Sequence, residues 1–357
     1  DFCLSRGLGD VYKRQVNDMI KIIVDAFGGD KSPIVNIEGA IQALNALSDL
    51  TIILVGDETI LKKELDTRTY DANRLSILDA KDVITCDDKP TEAIKHKKES
   101  SLVKAFELLK NDEEIGAMVS IGSTGALLAG TVLKIGRIKG VKRPAFCPLL
   151  PTMKKGFVAI CDSGANVDCD PIHLQQFAIM GSLYLEKAYN ISAPKAALLN
   201  IGTEEEKGDQ LHKEAYQLLN NTNTINFVGN MESRDLLSGK YDLVICDGFS
   251  GNVLLKSTEG ACLELLKLLK QTFKKNVKTK MGALLLKKDI MAIKDFMDYN
   301  NYGGAVVLGA KKTIVKGHGS SNSTAIYQCI KQAYMMEKNK LCEAIGNAIF
   351  ELTNQDD

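Results

Sequence analysis

Seven segments of the chain combine glycine with aspartate, asparagine, serine, threonine, glutamate or histidine, and each follows a short apolar run. They are VDAFGGD at 24–30, SIGSTGA at 120–126, CDSGANVD at 161–168, NIGTE at 200–204, GN at 229–230, CDGFSGN at 246–252 and KGHGSS at 316–321. Such residues suit an anion. Glycine lets backbone N–H groups come close, and the first turn of a helix adds partial positive charge. Gly28, Gly29 and Asp30 form one such loop. Ser123, Thr124 and Gly125 lead into a predicted helix, as do Ser250 and Asn252. Any one of these is ordinarily a turn and a helix cap; the set is the signal. The nucleotide loop GxxxxGK[ST], the dinucleotide fingerprint GxGxxG and the nucleophile elbow GxSxG are all missing. The residues therefore point to phosphate handled without a nucleotide and without a covalent nucleophile.

The elements that must position these loops are legible as alternation. Apolar runs at 20–26, 51–55, 75–78, 117–121, 157–161, 196–201, 225–228, 242–246, 305–308 and 313–315 alternate with stretches of helical length. Several runs are apolar on both faces, as strands covered by helices on both sides must be. The pattern predicts a doubly wound, mostly parallel α/β sheet, in which ligands bind at the carboxyl ends of strands. No composition break divides residues 19–357, which are read as a single α/β domain. Residues 1–18 lack the apolar core of a signal peptide and are read as a non-native leader.

Bulk composition is that of a globular protein. Lysine plus arginine equals aspartate plus glutamate, 45 to 45, so net charge gives no reason to expect a nucleic-acid partner. Nine cysteines stand without a CxxC pair, and only four histidines occur. The expectation is a reduced, cytoplasmic protein without a multi-histidine metal site. One segment is lopsided: residues 267–288 hold eight lysines and no acidic residue. Apolar residues interleave with them. The pattern predicts a basic amphipathic helical hairpin over 267–298, broken near Gly282, with Lys274, Lys275, Lys278 and Lys280 available to an acidic partner.

The motifs, in order from about Met19 to Tyr334, resemble the phosphate acyltransferase family of bacterial phospholipid synthesis (PlsX type). DSGANVD and CDGFSGNV carry the resemblance most specifically. Ser123 and Phe27 depart from the asparagine and methionine usual there. The resemblance implies transfer of a fatty acyl group from acyl carrier protein to inorganic phosphate. It further implies a homodimer, a fold similar to phosphotransacetylases and isopropylmalate dehydrogenases, and no cofactor. For that reaction His318 is the candidate to bond phosphate or protonate the leaving thiolate. Lys256 and Arg143 are candidate anion ligands, and Asp247 is grouped with His318 and Lys256 as catalytic. Asn166, His173, Asn230 and Ser320 are assigned to substrate binding. Asp25, Asp162 and Glu204 are read as supporting residues, since a carboxylate is awkward beside phosphate. Acyl carrier proteins and bacterial membrane surfaces are both acidic, so the lysine-rich hairpin is expected to dock one of them, placing the protein peripherally on the inner face of the plasma membrane. The rival readings are a phosphotransacetylase for short acyl-CoA, a metal-dependent dehydrogenase of similar fold, and a non-catalytic membrane scaffold.

Overall fold

The structure is a computed structural model and describes residues 19–154, 156–296 and 302–355. The expected leader at 1–18 lies outside them. The chain runs β1 (Ile20–Asp25), α1 (Ile34–Ala46), β2 (Leu50–Gly56), α2 (Glu58–Leu65), β3 (Leu75–Asp79), α3 (Pro90–His96), α4 (Ser101–Asn111), β4 (Ile115–Ser120) and α5 (Thr124–Gly130). It continues with β5 (Ala145–Cys147), β6 (Leu149–Thr152), β7 (Gly156–Cys161), α6 (Pro171–Tyr189), β8 (Lys195–Asn200), α7 (Gln210–Asn220), β9 (Asn226–Glu232) and β10 (Leu243–Ile245). The remainder is α8 (Gly248–Lys274), α9 (Val277–Leu285), α10 (Lys287–Phe296), β11 (Ala305–Leu308), β12 (Thr313–Lys316), α11 (Ser323–Lys338) and α12 (Leu341–Gln355). All ten apolar runs contain a strand. β5 and β6 have no counterpart among them, because Pro144, Pro148 and Pro151 interrupt the apolar pattern there.

The chain divides into two compact units. One comprises the described residues up to Ile138 together with Ala310–Glu343; the other comprises Lys139–Gly309 with the described residues from Ala344. In the first unit the strand order is β3-β2-β1-β4-β12, and every pairing is parallel. Consecutive residues of β1 from Ile22 to Asp25 are all buried, as are Met118, Val119, Ile314 and Val315. Side chains alternate across a strand, so both faces of this sheet are covered. Every strand points the same way, which gathers the loops after β1, β4 and β12 at one edge.

In the second unit β7, β10, β8 and β9 lie side by side in parallel, with β6 added antiparallel to β7. β5 and β11 pair antiparallel. Leu150, Val158, Ile160, Ala197, Met231, Leu236, Val244 and Cys246 form a continuous apolar cluster here. Again the loops after three adjacent strands, β7, β10 and β8, share one edge.

The lysine-rich region is helical. α8 is 27 residues long, yet its buried residues are only Gly248 and Gly251; α9 buries none. The expected break at Gly282 is displaced, since α9 runs through that residue. The chain breaks at Asn276 instead, whose side chain accepts from the Thr279 N–H at 3.0 Å and caps α9, and again at Leu286. A cap satisfies N–H groups that have no partner within a helix, and so marks its start more firmly than one glycine marks an end.

Candidate functional site

In the first unit three strand-end loops interlock. Gly28, after β1, sits so close to the loop after β4 that a Cβ on it would lie 2.6 Å from the Gly122 nitrogen. Gly29 has φ of +94°, a conformation other residues rarely adopt. The Asp30 N–H then donates to the Gly319 carbonyl at 2.9 Å, and the Gly317 N–H donates to the Ser120 carbonyl at 3.0 Å. The loops after β1, β4 and β12 are thereby tied together.

Beneath them lies Asp25, 2% exposed. Its carboxylate accepts from Ser101 Oγ at 2.6 Å and Ser120 Oγ at 2.7 Å. Asn36 Nδ2 donates to the Asp25 carbonyl at 2.8 Å and anchors the same turn. Burial pushes the Asp25 carboxyl up, and the serine hydroxyls with the backbone at Phe27 and Gly28 oppose it. Asp25 is thus a tether between β1, α4 and β4. Lys316, at the end of β12, is also buried, and its ammonium donates to the neighbouring Gly317 carbonyl. Burial brings that ammonium down to about 8.

His318 is exposed on the same loop. Its Nδ1 lies 2.8 Å from Ser320 Oγ and accepts from the Ser320 N–H at 3.2 Å. Burial within the loop lowers its pKa, Lys316 lowers it further and Asp30 raises it. With Nδ1 accepting, the neutral ring carries its proton on Nε2. Ser123 caps α5 by accepting from the Ala126 N–H at 3.4 Å. Thr124 and Asp30 are exposed at the same edge.

In the second unit the loop after β7 folds around Asp162. This carboxylate is fully buried and accepts from the backbone N–H of Phe146 (2.8 Å), Gly164 (3.2 Å), Ala165 (3.1 Å) and Asn166 (2.7 Å), and from Asn166 Nδ2 (2.9 Å). Burial raises its pKa and these bonds oppose the rise. Asp162 is itself the anion of a small nest, so it organises the loop. α8 starts directly against it. The Gly248 N–H donates to the Asn166 carbonyl at 2.7 Å, and Gly251 leaves no room for a Cβ against the Asp162 carbonyl. Asp247 caps α8 through the Ser250 N–H at 2.9 Å. Asn252 packs on Gly164, and Lys256 is exposed, one turn farther along. Lys256 lies near enough to Glu259 to oppose the rise that burial gives that carboxyl.

His173 opens α6, buried, with Nδ1 accepting from the Asp170 N–H at 2.9 Å. Burial lowers its pKa; Asp170 raises it, and Arg143 and Lys142 lower it again. Arg143 itself is exposed. Asn230 Nδ2 donates to the Glu204 carbonyl at 2.7 Å and pins the loop after β8. Its Oδ1 is buried without a partner among the described residues. Cys169 is pushed up to about 12 by burial, then by Asp162 and Asp247, and Cys246 lies well above the usual thiol range. Neither supplies a thiolate nucleophile. Among the described residues, no three His, Cys, Asp or Glu side chains group as metal ligands would.

Comparison with known proteins decides the family. The model of the family described as "Fatty acid synthesis protein" matches residues 20–344. A phosphate acyltransferase from Clostridioides difficile is 43% identical over 330 residues, covering 92% of this chain and 96% of the relative. One from Alkaliphilus oremlandii is 45% identical over 333 residues, covering 93% and 98%. The chain belongs to the phosphate acyltransferase family. It is an acyltransferase. Its fold is similar to a phosphotransacetylase from Streptococcus pyogenes, with a TM-score of 0.58 at 17% identity, covering 93% of this chain and 99% of that one. A phosphotransacetylase from Staphylococcus aureus gives a TM-score of 0.57 at 14% identity, covering 90% and 96%.

Within this acyltransferase the sequence-derived residues fall into two groups. Asp25, Gly28, Gly29, Asp30, Ser123, Thr124, Gly125, His318 and Ser320 lie around the strand ends of the first unit. Asp162, Asn166, His173, Asp247, Ser250, Asn252, Arg143 and Lys256 lie around β7 and α8 of the second, with Glu204 and Asn230 at the ends of β8 and β9. Sequence reasoning omits Ser101, Ser120 and Lys316. Lys316 and Ser120 stand inside quoted motifs, but their burial follows only from strand register. Ser101 lies 76 residues from Asp25, and nothing local announces the pairing.

Proposed function

We propose that this acyltransferase moves a fatty acyl group from acyl carrier protein to inorganic phosphate, forming acyl phosphate for phospholipid synthesis. The observation that supports the reading best is the interlocked loop cluster of the first unit. Gly28, Gly122 and Gly317 bring three strand ends so close that backbone groups line one edge, and His318 and Ser320 stand on it. Phosphate is ionised at neutral pH and attacks a thioester carbonyl without a strong base. The protein needs to hold it in line and to stabilise developing charge. Neutral His318, with its proton on Nε2, has a donor for a phosphate oxygen or for the departing thiolate.

A fatty acyl donor carried on an acidic protein suits the lysine-rich helices. Lys274, Lys275, Lys278 and Lys280 are exposed, beside Val277 (72% exposed), Met281 (63%), Leu284 (72%) and Leu285 (83%). An apolar stripe flanked by cations also fits an anionic membrane surface. No helix among the described residues is long and apolar enough to cross a membrane. The proposed place of work is the cytoplasm, peripheral to the membrane, and the proposed assembly is a homodimer. Rates with long-chain acyl carrier protein against short acyl-CoA test the donor. Preference for acyl-CoA would replace this reading with a phosphotransacetylase.

A further inference from the structure

Lys316 is 7% exposed, and Asp25 and Asp30 act on it through space. Its ammonium bonds only the next carbonyl, Gly317. A buried cation whose direct bond is to a neutral carbonyl is costly, and a chain keeps one where a further anion adds negative charge. The strand register shows where that charge would sit. Lys316 pairs with Ser120 across β12 and β4, and Ser120 Oγ in turn bonds Asp25 at the end of β1. Asp25, Ser120 and Lys316 therefore form one row under the loops after β1, β4 and β12. Asp25 is engaged by two hydroxyls, and Asp30 above is exposed.

We propose that Lys316 is a positioning residue that supplies the buried counter-charge for a dianionic phosphate held by these three loops. This rests on reading the loop cluster as the phosphate site. Lys316 acts from beneath the loop, through its field on the anion and on His318. The charge is present only while the ammonium keeps its proton, and burial brings it down to about 8. Below that pH the site attracts a dianion; above it the attraction fades. The groups that bear on Lys316 are Asp25 from β1, Asp30 from its loop, Cys86 from the segment before α3, Cys329 from α11 and His318 from its own loop. Burial holds Cys329 up at about 12, and His318 lies below its ordinary 6.5. Because Cys86 bears on Lys316, the test uses a Cys86→Ser background.

The experiment measures sulfate binding by calorimetry from neutral to alkaline pH, since sulfate keeps its charge there while phosphate does not. Affinity should fall as pH rises through about 8. Lys316→Met should bind roughly 10- to 100-fold more weakly at neutral pH, the scale of one unit charge removed from the neighbourhood of a bound anion, with no such fall. Its thermal midpoint should match or exceed that of the parent, because a buried charge is gone. Unchanged affinity with an unchanged pH profile would overturn the inference. Should the Met variant not fold, the parent's own profile decides, and a flat one overturns it. Acyl phosphate formation is measured alongside. If acyl phosphate forms but Lys316→Met leaves binding unaltered, the inference fails alone. If the binding profile appears but no acyl phosphate forms, the anion site stands and the assigned reaction falls.

Discussion

Ser120 Oγ donates to Asp25 Oδ2 at 2.7 Å, although the two residues are 95 apart in the chain. The bond joins the ends of β1 and β4 under the loops proposed to hold phosphate. Removing it by Ser120→Ala should cost about 1–3 kcal/mol, since the buried carboxylate loses one of two hydroxyl donors. Ser101→Ala should cost about the same, and the double variant should not be additive because both serve one carboxylate. Urea denaturation of the four forms checks this; fully additive costs would show that the bonds are independent.

The same carboxyl sets a pH dependence. Its folded pKa lies above the ordinary 3.8, with burial the leading cause. The folded state therefore binds more protons than the unfolded one over the interval between the two values, and stability falls as pH rises through it. Asp25→Asn should flatten that fall. The check is the urea midpoint against pH in the acid range, where parallel curves for both forms would contradict the assignment. Asp162, also raised by burial, contributes a slope of the same sign that remains in the variant.

Gly251 leaves no space for a side chain against the Asp162 carbonyl. Gly251→Ala should push α8 off the loop after β7 and destabilise the protein by about 1–3 kcal/mol or more. The denaturation midpoint should drop with the slope unchanged. A wild-type midpoint would mean that the helix start yields freely.

These sites mark how far the residues alone carry the fold. Ten apolar runs mark ten of the strands, most plainly where a parallel strand such as β1 is buried on both faces and needs a continuous apolar stretch. β5 and β6 escape because prolines break their runs. The motif loops are legible because Gly28 and Gly251 are there for close approach, which residue type alone announces. What is not legible is pairing over long separation. Ser101 with Asp25, the nest around Asp162, and the burial of Lys316 follow from register and packing. The break expected at Gly282 fails because helix ends are set by which N–H groups find a cap, and Asn276 supplies one.

Reversing Lys274, Lys275, Lys278 and Lys280 to glutamate should weaken docking of acyl carrier protein, anionic vesicles or both. Exposed charges steer an oppositely charged partner over about a Debye length, roughly 8–10 Å at physiological salt. Folding should survive, because surface changes usually cost within about 0.5 kcal/mol each. KM for acyl carrier protein and vesicle co-sedimentation, measured on one variant across salt, separate the partners. Indifference of both would reduce the run to a solvated face.

His318→Ala and Lys256→Ala should each lower turnover while leaving the fold intact. Loss of a donor to developing charge typically costs on the order of 10²–10³ in rate. For His318 the effect should fall mainly on kcat, since its Nε2–H is assigned to charge that develops during the reaction. Steady-state kinetics with far-UV dichroism as the folding control checks both, and near wild-type rates in both would displace the site.

The central claim is tested most directly by incubating the purified protein with long-chain acyl carrier protein and inorganic phosphate and following the phosphorus NMR spectrum. The account predicts an acyl phosphate signal that grows only when protein, thioester and phosphate are all present, with free carrier protein released in equal amount. Thioester consumed without acyl phosphate, or no consumption at all, would contradict it.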